Sequence, residues 1–284
     1  MAELASPAPA DRPERIRTYF EGRAENWIRL TSDAPVSGVR ARVRAGRETM
    51  AGTLLGWLES PPAADSLGAG AGAGVGAGVG LGADLDSDAG GGIPGGERRV
   101  LDAGCGPGEI SLRLAARGFR VTGIELAPSL AEAARDRVQA AGMADRVEIL
   151  EGDATRPGDG PWDHVVLMDV LFHYPLAEAV EALARLAPVA RRSVVFTLAP
   201  RTPLLGALRT VGGLFPRRDR APTLHPVPVR AFVNRVLAHP GFSEWARGRD
   251  RFVRSGVYFS HAVELVRNPE ARGDADAERG GPRP

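Results

Sequence analysis

The run Asp102-Ala103-Gly104-Cys105-Gly106-Pro107-Gly108 directly follows the short apolar stretch Arg99-Val100-Leu101. Glycines in such a run let the backbone approach a ligand closely and turn sharply into a helix. A dinucleotide site requires G-x-G-x-x-G, with a pyrophosphate at the helix N-terminus. Here the third glycine falls one position early, and Asp102 stands two residues before the first. A carboxylate at that place repels a pyrophosphate and accepts hydrogen bonds from an ammonium or a hydroxyl. Glu125, 23 residues after Asp102, ends the next apolar run and can take both hydroxyls of a ribose. Asp153, in Glu151-Gly152-Asp153-Ala154, follows the third run. It can accept from an adenine amino group while the next backbone N–H serves a ring nitrogen. Each residue alone has a plainer reading: a glycine turn, a ribose acid shared with NAD sites, a turn-forming Asp. Together they put adenosine chemistry at the carboxyl ends of three consecutive strands, the edge where open α/β sheets bind ligands.

The elements that must hold these residues follow from apolar periodicity. Strands are expected at Arg99–Asp102, Phe119–Glu125, Val147–Leu150, His164–Met168 and Ser193–Leu198, with helices at Ile110–Arg117, Pro128–Ala141 and Leu176–Leu186. The unbroken run His164–Met168 suits a parallel sheet buried on both faces. The alternation predicts a doubly wound, Rossmann-like α/β sheet. A small helix around Leu204–Val211, a helix at Val229–Ala238, and two strands at Phe242–Phe252 and Val257–Val266 pairing as an antiparallel edge complete it. Ahead of the sheet, Arg15–Leu58 predicts two helices separated by Ser32-Asp33-Ala34-Pro35. The expected organisation is a disordered N-terminus (1–14), a helical arm (15–60), a Gly/Ala-rich linker (61–97), a sheet domain (98–267) containing a loop at 200–227, and a disordered tail (268–284).

The linker absorbs much of the glycine excess: 13 of 36 glycines lie between Ser66 and Gly96. Ser66–Ala83 lacks charge, but its alternating Gly is a poor membrane helix, since each Gly costs a helix about 1 kcal/mol against Ala. It is expected to separate two units, leaving the arm free to open and close. All 36 basic residues are Arg, which excludes a lysine Schiff base and a P-loop lysine. A net charge of +1 argues against a nucleic-acid partner. One cysteine excludes a disulfide framework and a cysteine-built metal site. No signal peptide is expected, because residues 1–17 are charged and broken by proline.

The Asp102–Gly108 loop, Glu125 and Asp153 together resemble the class I S-adenosylmethionine-dependent methyltransferases, over about Arg98–Arg267. That resemblance implies a mostly parallel seven-stranded sheet ending in an antiparallel hairpin. It implies that S-adenosylmethionine, the methyl donor, is bound by Asp102, Ala103, Gly104, Gly106, Gly108, Glu125, Leu126, Asp153, Ala154 and Asp169. A narrower resemblance lies in Arg17-Thr18-Tyr19-Phe20, Trp27–Asp33, Val43-Arg44-Ala45-Gly46-Arg47, Leu171-Phe172-His173-Tyr174, Phe196–Leu204 and Gly213–Arg220. These stretches are similar to the magnesium-protoporphyrin IX methyltransferase family of chlorophyll and bacteriochlorophyll synthesis. The long Gly/Ala insert after Pro62 departs from that pattern. The implied activity is carboxyl O-methylation of a porphyrin propionate. No protein-bound metal is expected, since the magnesium belongs to the substrate.

The resemblance places His173 and Tyr19 at the catalytic end of the site. Trp27, Tyr174, Arg201, Phe215, Arg217 and Arg220 are expected on the porphyrin, where bidentate Arg–carboxylate pairs suit a dianionic macrocycle. Further partners it points to are the porphyrin-binding subunit of magnesium chelatase and, by peripheral contact, the photosynthetic membrane, with the protein itself cytoplasmic. Competing readings are a methyltransferase for another small acceptor such as a quinone precursor, an NAD-binding oxidoreductase, and a non-catalytic adenosylmethionine-binding accessory protein.

Overall fold

The structure, a computed structural model, describes residues 12–32, 34–60, 98–158, 160–201 and 224–268. Seven strands form one sheet: β1 (Arg99–Ala103), β2 (Arg120–Glu125), β3 (Val147–Glu151), β4 (Trp162–Leu167), β5 (Ala190–Leu198), β6 (Trp245–Ser255) and β7 (Tyr258–Arg267). Their order is β3-β2-β1-β4-β5-β7-β6. The first five run parallel; β7 pairs antiparallel with β5 and with β6. This is the doubly wound, class I methyltransferase fold expected from sequence. The order reverses between β1 and β4, so the crevice at that switch point opens over their carboxyl ends.

Alternate residues of each strand feed opposite faces. On β5, Val194 and Phe196 join one core with helices α6 (Leu176–Leu186) and α7 (Val229–Leu237). Val195 joins the other, with α4 (Glu109–Ala115), α5 (Pro128–Ala140) and the arm helix α3 (Gly38–Glu59). Both faces of the sheet are thus covered, which is why β4 is buried at every position.

Helix α3 does not stand apart from the sheet. Met50, Leu54, Leu55 and Leu58 recur at helical spacing, are at most 1% exposed, and share a core with Val100, Val166 and Val195. Arg249 of β6 binds both carboxylate oxygens of the buried Glu264 at 2.7 Å and donates to the carbonyls of Trp57 and Ser60 at the C-terminal end of α3. A cation there complements the helix dipole and satisfies carbonyls with no partner inside the helix. The freedom expected of the whole arm is therefore denied to α3.

The front of the arm is two helices rather than one, α1 (Arg12–Glu21) and α2 (Ala24–Leu30). The chain bends at Gly22-Arg23, which brings Phe20 against Trp27 with ring centroids 5.6 Å apart. Helix α1 also begins earlier than expected, within the segment read as disordered. Pro13 needs no N–H in a first turn, and Arg12 is anchored to Glu178 at 2.6 Å. Glu21 accepts from the backbone N–H and hydroxyl of Ser129, capping the start of α5. At the other end, Phe242 lies in a short 3-10 turn opened by Pro240-Gly241, so β6 starts three residues later than expected. The linker, residues 202–223 of the 200–227 loop, the helix expected at Leu204–Val211 and almost all of the tail lie outside the described residues.

Candidate active site

Strand β1 ends in the glycine loop. Gly104 has φ +85, and a Cβ there would run into the Val170 side chain. Its amide and that of Cys105 bond the Ile124 carbonyl at 2.8 and 3.1 Å, strapping the loop to β2. Gly106, at φ +54, has no atom within 4 Å of where a Cβ would stand. The loop thus presents bare backbone to a cleft lined from both sides of the β1–β4 switch point.

Four carboxylates stand in strand order along this cleft. Asp153 follows β3 and folds its own turn, its Oδ1 accepting from the amide and hydroxyl of Thr155 at 2.9 and 2.8 Å. Glu125 ends β2 and accepts from the amides of Gly106 and Ala127 at 2.8 and 2.9 Å. Burial raises its pKa, and those amides oppose the shift. An ionised carboxylate offers about four acceptor sites, so capacity for ribose hydroxyls remains. Asp102, on β1, is 1% exposed and accepts from the Ser111 hydroxyl at 2.7 Å. Burial pushes its pKa up to about 7.

Asp169, just past β4, is the one non-glycine residue with positive φ (+60) among the described residues. Its amide donates to Thr197 Oγ1 at 2.7 Å, and the Tyr258 hydroxyl donates to Oδ1 at 3.3 Å. Its Oδ2 pairs with Arg47, which enters from α3. Arg47 also lies 3.5 Å from Glu109 and 5.4 Å from the Trp27 ring. Burial works against its charge, but Asp169 and Glu109 more than restore it, and its pKa is raised. Sequence reasoning missed Arg47 and Glu109 as site residues. One Arg among many carries no mark; the only available signal was its place in the Val43–Arg47 stretch, next to Gly46, which packs on Tyr258.

Of the expected cofactor residues, Asp102, Gly104, Gly106, Glu125, Leu126, Asp153, Ala154 and Asp169 line the cleft. Ala103 is buried behind it and Gly108 caps α4. His173, Tyr174 and Trp27 line it as well. His173 is 7% exposed, and neither ring nitrogen has a hydrogen-bond partner among the described residues. Burial lowers its pKa to about 4, so it is neutral at neutral pH. Tyr19 does not line the cleft. It meets Phe20 edge to face and lies under Arg23, and it is Phe20 that meets His173, at 5.3 Å. Arg201 is exposed and also off the cleft wall; its amide bonds the Val227 carbonyl at 3.1 Å. Phe215, Arg217 and Arg220 lie outside the described residues.

The donor set fits S-adenosylmethionine. Acceptors at Asp153, Glu125, Asp102 and Asp169 match an adenine amino group, ribose hydroxyls and an ammonium, beside a loop with no side chains to exclude them. No cluster of metal-ligating side chains occurs among the described residues, and none of their helices is long and apolar enough to cross a membrane.

Two family models match: a general methyltransferase domain over residues 100–193, and the magnesium-protoporphyrin IX methyltransferase C-terminus over residues 167–267. A magnesium-protoporphyrin O-methyltransferase of Rhodobacter capsulatus is 32% identical over 90% of this chain and 98% of its own length. Its counterpart in Synechocystis is 27% identical over 92% and 99%. A crystal structure of magnesium protoporphyrin IX methyltransferase from Synechocystis, with bound SAH, covers 90% of this chain and 99% of that one, with a TM-score of 0.68 and 25% identity. The chain belongs to the magnesium-protoporphyrin O-methyltransferase family.

Proposed function

We propose that the protein transfers a methyl group from S-adenosylmethionine to a propionate carboxylate of magnesium protoporphyrin IX, forming the monomethyl ester. The observation that carries this is a magnesium-protoporphyrin O-methyltransferase that is similar over 98% of its own length and 90% of this chain. When bound, the cofactor supplies a methyl group on a sulfonium. The attacking carboxylate oxygen donates the electron pair of the new O–C bond, and the C–S pair departs with sulfur.

A propionate has a pKa near that of Glu, about 4.3. It is ionised at neutral pH, and no general base is needed. What this chain must do is align the two partners and keep water out. The glycine loop and the acidic wall hold the cofactor. Phe20 and Trp27, from the front of the arm, close the cleft with apolar surface. His173, neutral and with no partner at either ring nitrogen among the described residues, can donate to the propionate without adding charge. Tyr19 and the Arg residues of the 200–227 loop are proposed for the rest of the porphyrin. Transfer of the porphyrin from a magnesium chelatase subunit, and peripheral membrane contact, rest on the sequence resemblance alone.

The test is incubation with S-adenosylmethionine and magnesium protoporphyrin, followed by mass analysis. One added methyl per porphyrin supports the assignment. Porphyrin left unmodified while a quinone precursor is methylated would replace it.

A further inference from the structure

Helix α5 anchors the front of the arm at both of its ends. Its first turn holds α1, through Ser129 and Glu21. Its last turn holds α2, through Arg137. The guanidinium there reaches two other elements at once. Nη1 donates to the Pro107 carbonyl at 3.0 Å and to the Thr31 hydroxyl at 3.1 Å, and Nη2 donates to the Ile28 carbonyl at 2.9 Å. Pro107 stands between Gly106 and Gly108 in the glycine loop. Ile28 lies in the last turn of α2, where carbonyls lack partners inside the helix, and α2 also carries Trp27. Pro107, Thr31 and Trp27 line the cleft, while Arg137 is not part of its wall.

Each of the two elements has a support of its own. Arg44 of α3 takes the Leu30 and Ala34 carbonyls at 2.9 and 2.7 Å, next to the end of α2. Glu125 takes the Gly106 amide at 2.8 Å. What Arg137 adds is a direct link from the loop to the helix. We propose that Arg137 is a positioning residue that holds the glycine loop and the Trp27 helix in one register, so that a methyl donor on the first faces an acceptor held by the second; this rests on the methyl-transfer reading of the same cleft. In-line transfer needs oxygen, methyl carbon and sulfur aligned, and a misplacement of about 1 Å can cost about 100-fold in rate. A planar fork suits the task because its donors are fixed relative to one another. The ammonium of a lysine is a point charge on a flexible stem.

The experiment measures kcat for porphyrin methylation in the wild type, Arg137→Met and Arg137→Lys, beside melting temperatures. Binding of SAH is followed by calorimetry and binding of magnesium protoporphyrin by absorbance titration. Arg137→Met should lower kcat about 10- to 100-fold and change each binding constant by less than about threefold. Arg137→Lys keeps a cation and can keep one of the bonds, so it guards against a variant that fails to fold. It should lose at least about tenfold in kcat as well, because one ammonium cannot hold both elements in place. A kcat within about twofold of the wild type in Arg137→Met overturns the assignment. So does full recovery by lysine, or weakened binding of both ligands with kcat unchanged. A wild type that binds both ligands and transfers no methyl overturns the methyl-transfer reading itself.

Discussion

Asp102 has a pKa raised to about 7 by burial. Its protonated fraction is therefore substantial at neutral pH, where an exposed Asp would be wholly ionised. For stability the sign is unfavourable: the unfolded chain ionises this group near pH 4, so its contribution to stability falls as pH rises toward 7. A cationic ligand reverses the balance by lowering the pKa. Cofactor binding between about pH 6 and 7 should release a fraction of a proton, seen as a buffer-dependent calorimetric enthalpy. Asp102→Asn should abolish that release. His173 makes a different prediction. His173→Ala should lower turnover by about tenfold or more with cofactor affinity nearly unchanged, as measured by steady-state kinetics beside calorimetry. Unchanged turnover would remove His173 from the mechanism. Asp102, Glu125, Asp153 and Asp169 were legible because each sits at or just past the end of a strand, a place that periodicity locates; Glu109, on α4, was not. Arg47 was not, because its position depends on how α3 packs against β6 and β7.

Helix α3 shows the same limit at the scale of elements. Its apolar spacing was visible, and so was its end before Pro61. Its partner was not, since spacing does not say which surface a helix covers. Arg249 is what fixes it. Arg249→Met should leave Glu264 buried without a counter-charge and cost about 3–5 kcal/mol in chemical denaturation. Arg249→Met/Glu264→Gln should recover much of that. Loss of less than about 1 kcal/mol in the single variant would mean that the apolar core and the other polar contacts of α3 hold it without Arg249. The strand and helix pattern from β1 to α6 was read within a few residues, because β-strand runs and glycine helix stops are local signals. The bend at Gly22-Arg23 was not read although Gly22 is a breaker, because the apolar stripe continues across it and Phe20 meets Trp27 over the turn.

At the scale of the whole molecule, the two segments flanking residues 61–97 meet. Arg98 donates to the Leu58 carbonyl at 3.1 Å, and β1 and α3 share one core. Closing a loop over such a short gap becomes less demanding as the loop shortens, by about 0.6 kcal/mol per halving of length. A variant in which residues 66–96 are deleted should therefore fold with equal or slightly higher melting temperature and retain turnover. A large loss of activity with the melting temperature intact would give the segment a functional role of its own.

The junction between Leu58 and Arg98 has a practical meaning beyond that deletion. The chain leaves and re-enters within reach of one Arg side chain, as at sites that accept inserted domains. A fluorescent reporter grafted between Ser60 and Arg98 would ride on α3, the helix that also carries Arg47. Because α3 is packed on the sheet, a graft there should leave Arg47 and the cleft in place.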